Sequence, residues 1–168
     1  MTVVQHEHYP TLWQMAPRDK KYPITWIDGR HIFHGPKVGA QAPDGYVVVR
    51  SNEPKIGWQA LLVSGKLLVL CFDGIHHDDT TGHAKTLVDD LNSRYTDRLT
   101  AYAVTTYYDS SKYDSDSHIL GDIDNKLHTI FAATGQCIYV LDDHGVVVWK
   151  SAGYMKEELV KWLDSGWK

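Results

Sequence analysis

The densest run of side chains able to do chemistry is His76-His77-Asp78-Asp79. Imidazoles titrate near neutral pH, and an adjacent carboxylate can orient a ring and tune its affinity for a proton. The run therefore suits acid–base catalysis, with His76 or His77 moving the proton and Asp78 orienting the ring. The same residue types ligate zinc or iron. Adjacent residues rarely converge on one ion, and no His-x-His or His-x-x-x-His spacing occurs here, so no metal is expected. Asp78 or Asp79 can also serve as a helix cap by accepting from the first backbone amides.

The chain has two cysteines, Cys71 and Cys137, and they form no CxxC pair. Cys71 lies inside an apolar run and reads as core. Cys137 has two readings: a nucleophile activated by an imidazole, or a small buried hydrophobe at the start of a strand. Six Trp, ten Tyr and three Phe supply enough aromatic surface to wall a pocket or fill a core. Trp58, Tyr107, Tyr108 and Phe131 are the candidates for substrate contact.

These residues must be positioned by a regular scaffold. All six prolines fall between Pro10 and Pro54. Proline limits regular structure, so the early chain should be an irregular arm with at most short strands. Residues 1–36 are assigned to this arm and 37–168 to the folded domain. Tyr46 to Arg50 reads as a strand and Trp58 to Val63 as a helical turn. Lys66 to Phe72 is continuously apolar, as in a central strand covered on both faces. Ala84, Leu87, Val88, Leu91 and Tyr95 fall at spacings 0, 3, 4, 7 and 11, one stripe of a helix. Leu99 to Thr106 reads as a second strand. Tyr107 to Ser117 reads as a polar surface loop, and Asp122 to Ala132 as a short helix. Cys137 to Leu141 and Val146 to Trp149 flank Asp142-Asp143-His144-Gly145, a hairpin turn. A helix carrying Met155, Leu159, Trp162 and Leu163 ends the chain.

Composition narrows the classes. The chain has 168 residues, 43% hydrophobic and 23% charged, with a net charge of −4. That supports one globular domain rather than disorder. The acidic balance argues against a nucleic-acid partner, and no apolar run is long enough for a membrane span. The opening Met1 to His8 has neither a basic n-region nor an apolar h-region. With so few cysteines, a reduced, cytoplasmic chain is expected.

The order β–α–β–α–β–β–α predicts an α/β, thioredoxin-like fold: a central mixed sheet flanked by helices, with a right-handed crossover. Such a fold carries its active dithiol after the first central strand. Counting from Phe72, His77 and Thr80 stand at the two cysteine places, and Cys137 falls where redox-active members have a cis-proline. Thiol–disulfide exchange is therefore not expected.

Three stretches carry a family resemblance: Gly39-Ala40-Gln41-Ala42-Pro43-Asp44, Ala60 to Gly74, and Asp122 to Lys150. They resemble the "G-x-R-A-P-D" entry, the first hydrophobic strand, and the helix-plus-hairpin of one domain type. That type is the thioredoxin-like C-terminal domain of FAD-dependent aromatic-ring hydroxylases of the phenol hydroxylase class. Gln41 replaces the usual arginine, and no Gly-x-Gly-x-x-Gly segment is present. The resemblance implies a stand-alone, redox-inactive tail domain without FAD or another cofactor. Two functions follow as expectations. One is a cofactor-independent isomerase, cyclase or dehydratase of secondary metabolism, acting on an aromatic or polyketide-like molecule through His76, His77, Asp78 and Cys137. The other is a non-catalytic homodimerisation or partner-binding module, with a separate flavin hydroxylase as partner.

Overall fold

The computed structural model describes residues 24–27, 30–33, 35–73, 80–133 and 135–166. The central sheet grows from Leu67–Phe72 (β5), whose six residues are all buried. Its alternation splits them between two cores, with Leu67, Val69 and Cys71 on one face and Leu68, Leu70 and Phe72 on the other. Leu99–Thr105 (β6) pairs parallel to β5, and Ile119–Gly121 (β7) pairs parallel to β6. On the other side Cys137–Leu141 (β8) runs antiparallel to β5, and Val147–Ala152 (β9) antiparallel to β8. The order across the sheet is β7-β6-β5-β8-β9.

The β8–β9 turn follows from its residues. Asp142 Oδ1 accepts from the His144 and Val146 amides, both at 2.9 Å. Gly145 has φ 79, in the left-handed region that favours glycine.

One face is covered by Thr80–Arg94 (α1) and Lys156–Asp164 (α4). The expected stripe of α1, Ala84 to Tyr95, is buried there together with Leu159 and Leu163 of α4. The opposite face is covered by Lys126–Ile130 (α3), by a 3-10 turn at Trp58–Leu61, and by an extended strap. The strap starts beside β9, where the Gly39 amide donates to Val147 O and the Val147 amide to Ala40 O. It ends at β7, where Val48 and Gly121 exchange both backbone hydrogen bonds at 2.8 Å. Within it Tyr46–Val47 (β3) pairs with Ile56–Gly57 (β4).

Earlier in the chain Ile24–Ile27 (β1) and Arg30–Phe33 (β2) form an antiparallel pair. The stretch read as a loop after β6 contains a short helix, Ser110–Tyr113 (α2), capped by Asp109 through the Ser111 amide. Among the described residues no helix is long and apolar enough to cross a membrane.

Candidate functional site at the end of β5

The C-terminal end of β5 gathers the buried ionisable groups. Asp73 follows Phe72 directly, is fully buried, and donates its amide to Val104 O of β6 at 3.0 Å. Asp122 follows β7 and donates its amide to Thr105 O at 2.7 Å. Its carboxylate then turns to the start of α3. Oδ1 accepts from the Leu127 amide at 3.0 Å and Oδ2 from the His128 amide at 2.7 Å. This satisfies helix amides that would otherwise be buried without partners. The His128 ring completes the group. Its Nδ1 lies 2.8 Å from Asp122 Oδ2, and its Nε2 lies 3.1 Å from both Asp73 O and Asp73 Oδ1.

Asp73 and His128 have no exposed surface and Asp122 has 1%. Burial alone lowers the proton affinity of His128, but its hydrogen bonds to Asp122 and Asp73 outweigh burial, and the net direction is upward. The Phe72 ring packs edge-on against the imidazole with centroids 5.0 Å apart, which keeps water from this side.

Cys137 opens β8 in register with Phe72, so it sits at the same end of the sheet. Burial pushes its thiol well above the ordinary range, Cys71 adds to this, Lys150 opposes it, and Asp73 raises it further. Cys71 is raised by burial alone. The two thiols cannot meet, because strand alternation puts Cys71 in the core under α1 and Cys137 in the core under α3. Tyr154 donates its hydroxyl to Phe72 O at 2.7 Å, and burial pushes its phenol strongly upward.

The residues expected from sequence are placed as follows. His76, His77 and Asp78 lie outside the described residues, so the expected facing of that loop and Cys137 does too. Cys137, Trp58 and Phe131 share one buried cluster. Trp58 donates its indole N–H to Pro43 O at 2.8 Å and meets Phe131 edge-on at 6.4 Å. Tyr108 packs instead against the core under α1. Its oxygen lies 2.8 Å from Asp114 Oδ1 and 3.0 Å from Val49 O. Burial and then the Asp114 carboxylate push its phenol up to about 12. Tyr107 is exposed. Of the five aromatic and thiol candidates, three thus lie on one face, Tyr108 on the other and Tyr107 on the surface. Asp73, Asp122 and His128 were missed as a group. The one signal for them was an aspartate just before the apolar pattern of α3.

No family model matches the chain, and no curated protein matches it. Solved structures do. A peroxidoxin from Mycobacterium tuberculosis matches with TM-score 0.58 and 16% identity, over 79% of this chain and 99% of that one. A thiol-disulfide oxidoreductase from Bacteroides fragilis matches with TM-score 0.56 and 14% identity, over 74% and 99%. The thioredoxin domain of a thiol-disulfide oxidoreductase from Bacteroides vulgatus matches with TM-score 0.55 and 14% identity, over 76% and 96%. The chain has the thioredoxin-like fold.

These matches correct the family resemblance. The solved structures named here, which align along most of the chain, are thiol-disulfide oxidoreductases and a peroxidoxin, not phenol hydroxylase C-terminal domains. Both functions built on that resemblance fall with it: the cofactor-independent isomerase, cyclase or dehydratase, and the hydroxylase-related dimerisation module. The redox-inactive reading and the exclusion of thiol–disulfide chemistry are overturned as well. They rested on a missing CxxC, while the fold proves to be one that enzymes of that chemistry use.

Proposed function

We propose that this chain performs cytoplasmic thiol redox chemistry at the C-terminal end of β5, with Cys137 as the reacting thiol. The carrying observation is the register of Cys137 against Phe72, which sets the thiol at the sheet end occupied by Asp73, His128 and Asp122. The names of the structural neighbours support the same class of reaction. Cys71 lies on the other face of the sheet, so no disulfide forms within the chain and the chemistry uses one thiol.

The substrate class is a small disulfide. Cys137 loses its proton, and its sulfur attacks one sulfur of the substrate. The substrate S–S bond breaks, a mixed disulfide to Cys137 forms, and the departing thiolate takes up a proton. A small thiol reverses the step by the same exchange. Because burial keeps Cys137 protonated, the rate is set by how often the start of β8 is uncovered.

The test is to incubate the native protein with glutathione disulfide and map the product by peptide mass. The expected product is a mixed disulfide at Cys137 with Cys71 unmodified. Modification of neither thiol until denaturant unfolds the chain, or of Cys71 first, overturns the proposal.

A further inference from the structure

The His128 ring is surrounded in a way that fixes its protonation state. Nδ1 faces Asp122 Oδ2, an oxygen already accepting from the His128 amide. Nε2 faces the backbone carbonyl of Asp73 as well as its carboxylate. A carbonyl oxygen has no hydrogen to give. With both carboxyls ionised, a neutral ring would point a bare nitrogen lone pair at one of these acceptors, inside a buried site. A ring protonated at both nitrogens donates at each contact and supplies positive charge between two carboxylates.

We propose that His128 is carried as an imidazolium that latches the end of β5 to α3, making it the positioning residue that controls when the Cys137 end of the sheet opens. The upward direction of its proton affinity agrees with this.

Among the described residues, the charged and titratable groups around the latch come from four elements. Asp73 faces the ring from the end of β5 and Asp122 from the end of β7. Cys137 of β8 feels the charges of Asp73 and of Lys150 on β9, and Tyr154, just after β9, holds Phe72 O. When the ring loses its proton, its positive charge and one of its two N–H donations are lost. The contact from α3 to Asp73 weakens, and Phe72, the register partner of Cys137, is held by fewer contacts. Opening at this end therefore increases as pH rises through the His128 titration. This adds to the thiol's own ionisation and is separable from it.

The part concerning Cys137 rests on the thiol reading above; the latch itself does not. Two measurements on the full chain test the latch directly. Nitrogen NMR of the histidine rings should show both His128 nitrogens protonated at pH 6.5 and above. Amide exchange should show the Asp73 N–H opening roughly tenfold more often at pH 6 in His128→Gln, which keeps a donor but not the charge. The two proteins should converge at high pH. One bare ring nitrogen at pH 6, or equal Asp73 exchange in the two proteins there, overturns the proposal. If His128→Gln does not fold, the wild-type pH profile of Asp73 exchange decides. It should follow the His128 titration, and a profile set by intrinsic exchange alone overturns the latch. Thiol labelling is read alongside. A working latch with Cys137 unreactive at every pH removes the thiol reading and leaves the latch standing.

Discussion

The face of the sheet under α1 and α4 and the face under α3 solve the same burial problem with different materials. Under α1 and α4 the buried cluster is apolar throughout, from Leu67, Val69 and Cys71 to Leu159 and Leu163. Fifteen residues of α1 and nine of α4 provide enough apolar stripe to hold those helices by packing. The other face is roofed by α3, a helix of five residues. A helix so short is not stable by itself, since nucleation costs more than one turn returns. There Asp122 receives two of its amides and His128 ties it to Asp73 across the sheet end. Fixed polar contacts replace helix length, and that face consequently holds the buried Asp73, Asp122 and His128.

This contrast can be broken by substitution. The largest effect is expected for Asp122→Ala. It leaves the Leu127 and His128 amides and one side of the imidazolium unpaired, and should cost about 3–5 kcal/mol. A lowered urea midpoint with an unchanged slope is the measurement. A cost below about 1 kcal/mol would mean that α3 is held by packing after all. On the opposite face, Leu91→Ala should cost about 3 kcal/mol, within the usual range for a buried leucine. Because burial raises the two ionisable groups in that core, Cys71 and Tyr95, and so keeps both protonated, its cost should be the same at pH 6 and pH 8.

Smaller in size is the pH dependence of the wild type. The proton affinity of His128 is raised on folding, so its stabilisation is fully present below the unfolded value of 6.5 and is lost as pH rises through the folded value. Stability should fall as pH rises above 6.5 through the folded His128 titration, and His128→Gln should remove that slope. Cys137→Ala should cost only about 1 kcal/mol of stability yet abolish the mixed disulfide, whereas Cys71→Ala should leave it unchanged. The smallest effect belongs to Lys85→Ala on the surface. Its bridges to Asp89 at 2.9 Å and Asp116 at 2.8 Å are partly exposed and should contribute about 0.5 kcal/mol, reduced further by salt.

The apolar face was readable because its information is local. The stripe of α1 and the unbroken run of β5 follow from residue spacing, and both occupy the places that spacing requires. The polar face was not readable, for two reasons. Ile119–Gly121 is a three-residue strand and α2 has four residues, both too short to show a period. The site itself is formed by pairs distant in sequence. His128 meets Asp73 across 55 positions, and nothing near either residue signals the other. The helix read over Asp122 to Ala132 shows the same limit. It spans only Lys126–Ile130, because Asp122 is not a helix residue but the acceptor of its first amides.

The strap from Gln41 to Val48 has a bearing on how this protein fails. Its bridges at Val146 and Gly121 lie at opposite borders of a five-stranded sheet, a span of about 19 Å at the usual strand spacing. Seven residue steps reach about 24 Å at most, so the segment crosses almost taut. A single proteolytic nick between Ala42 and Val47 would cut the tie between the two borders while each half kept its own pairing, Gly39 and Ala40 with Val147 and Val48 with Gly121, so clipped material should loosen across that face before either border opens.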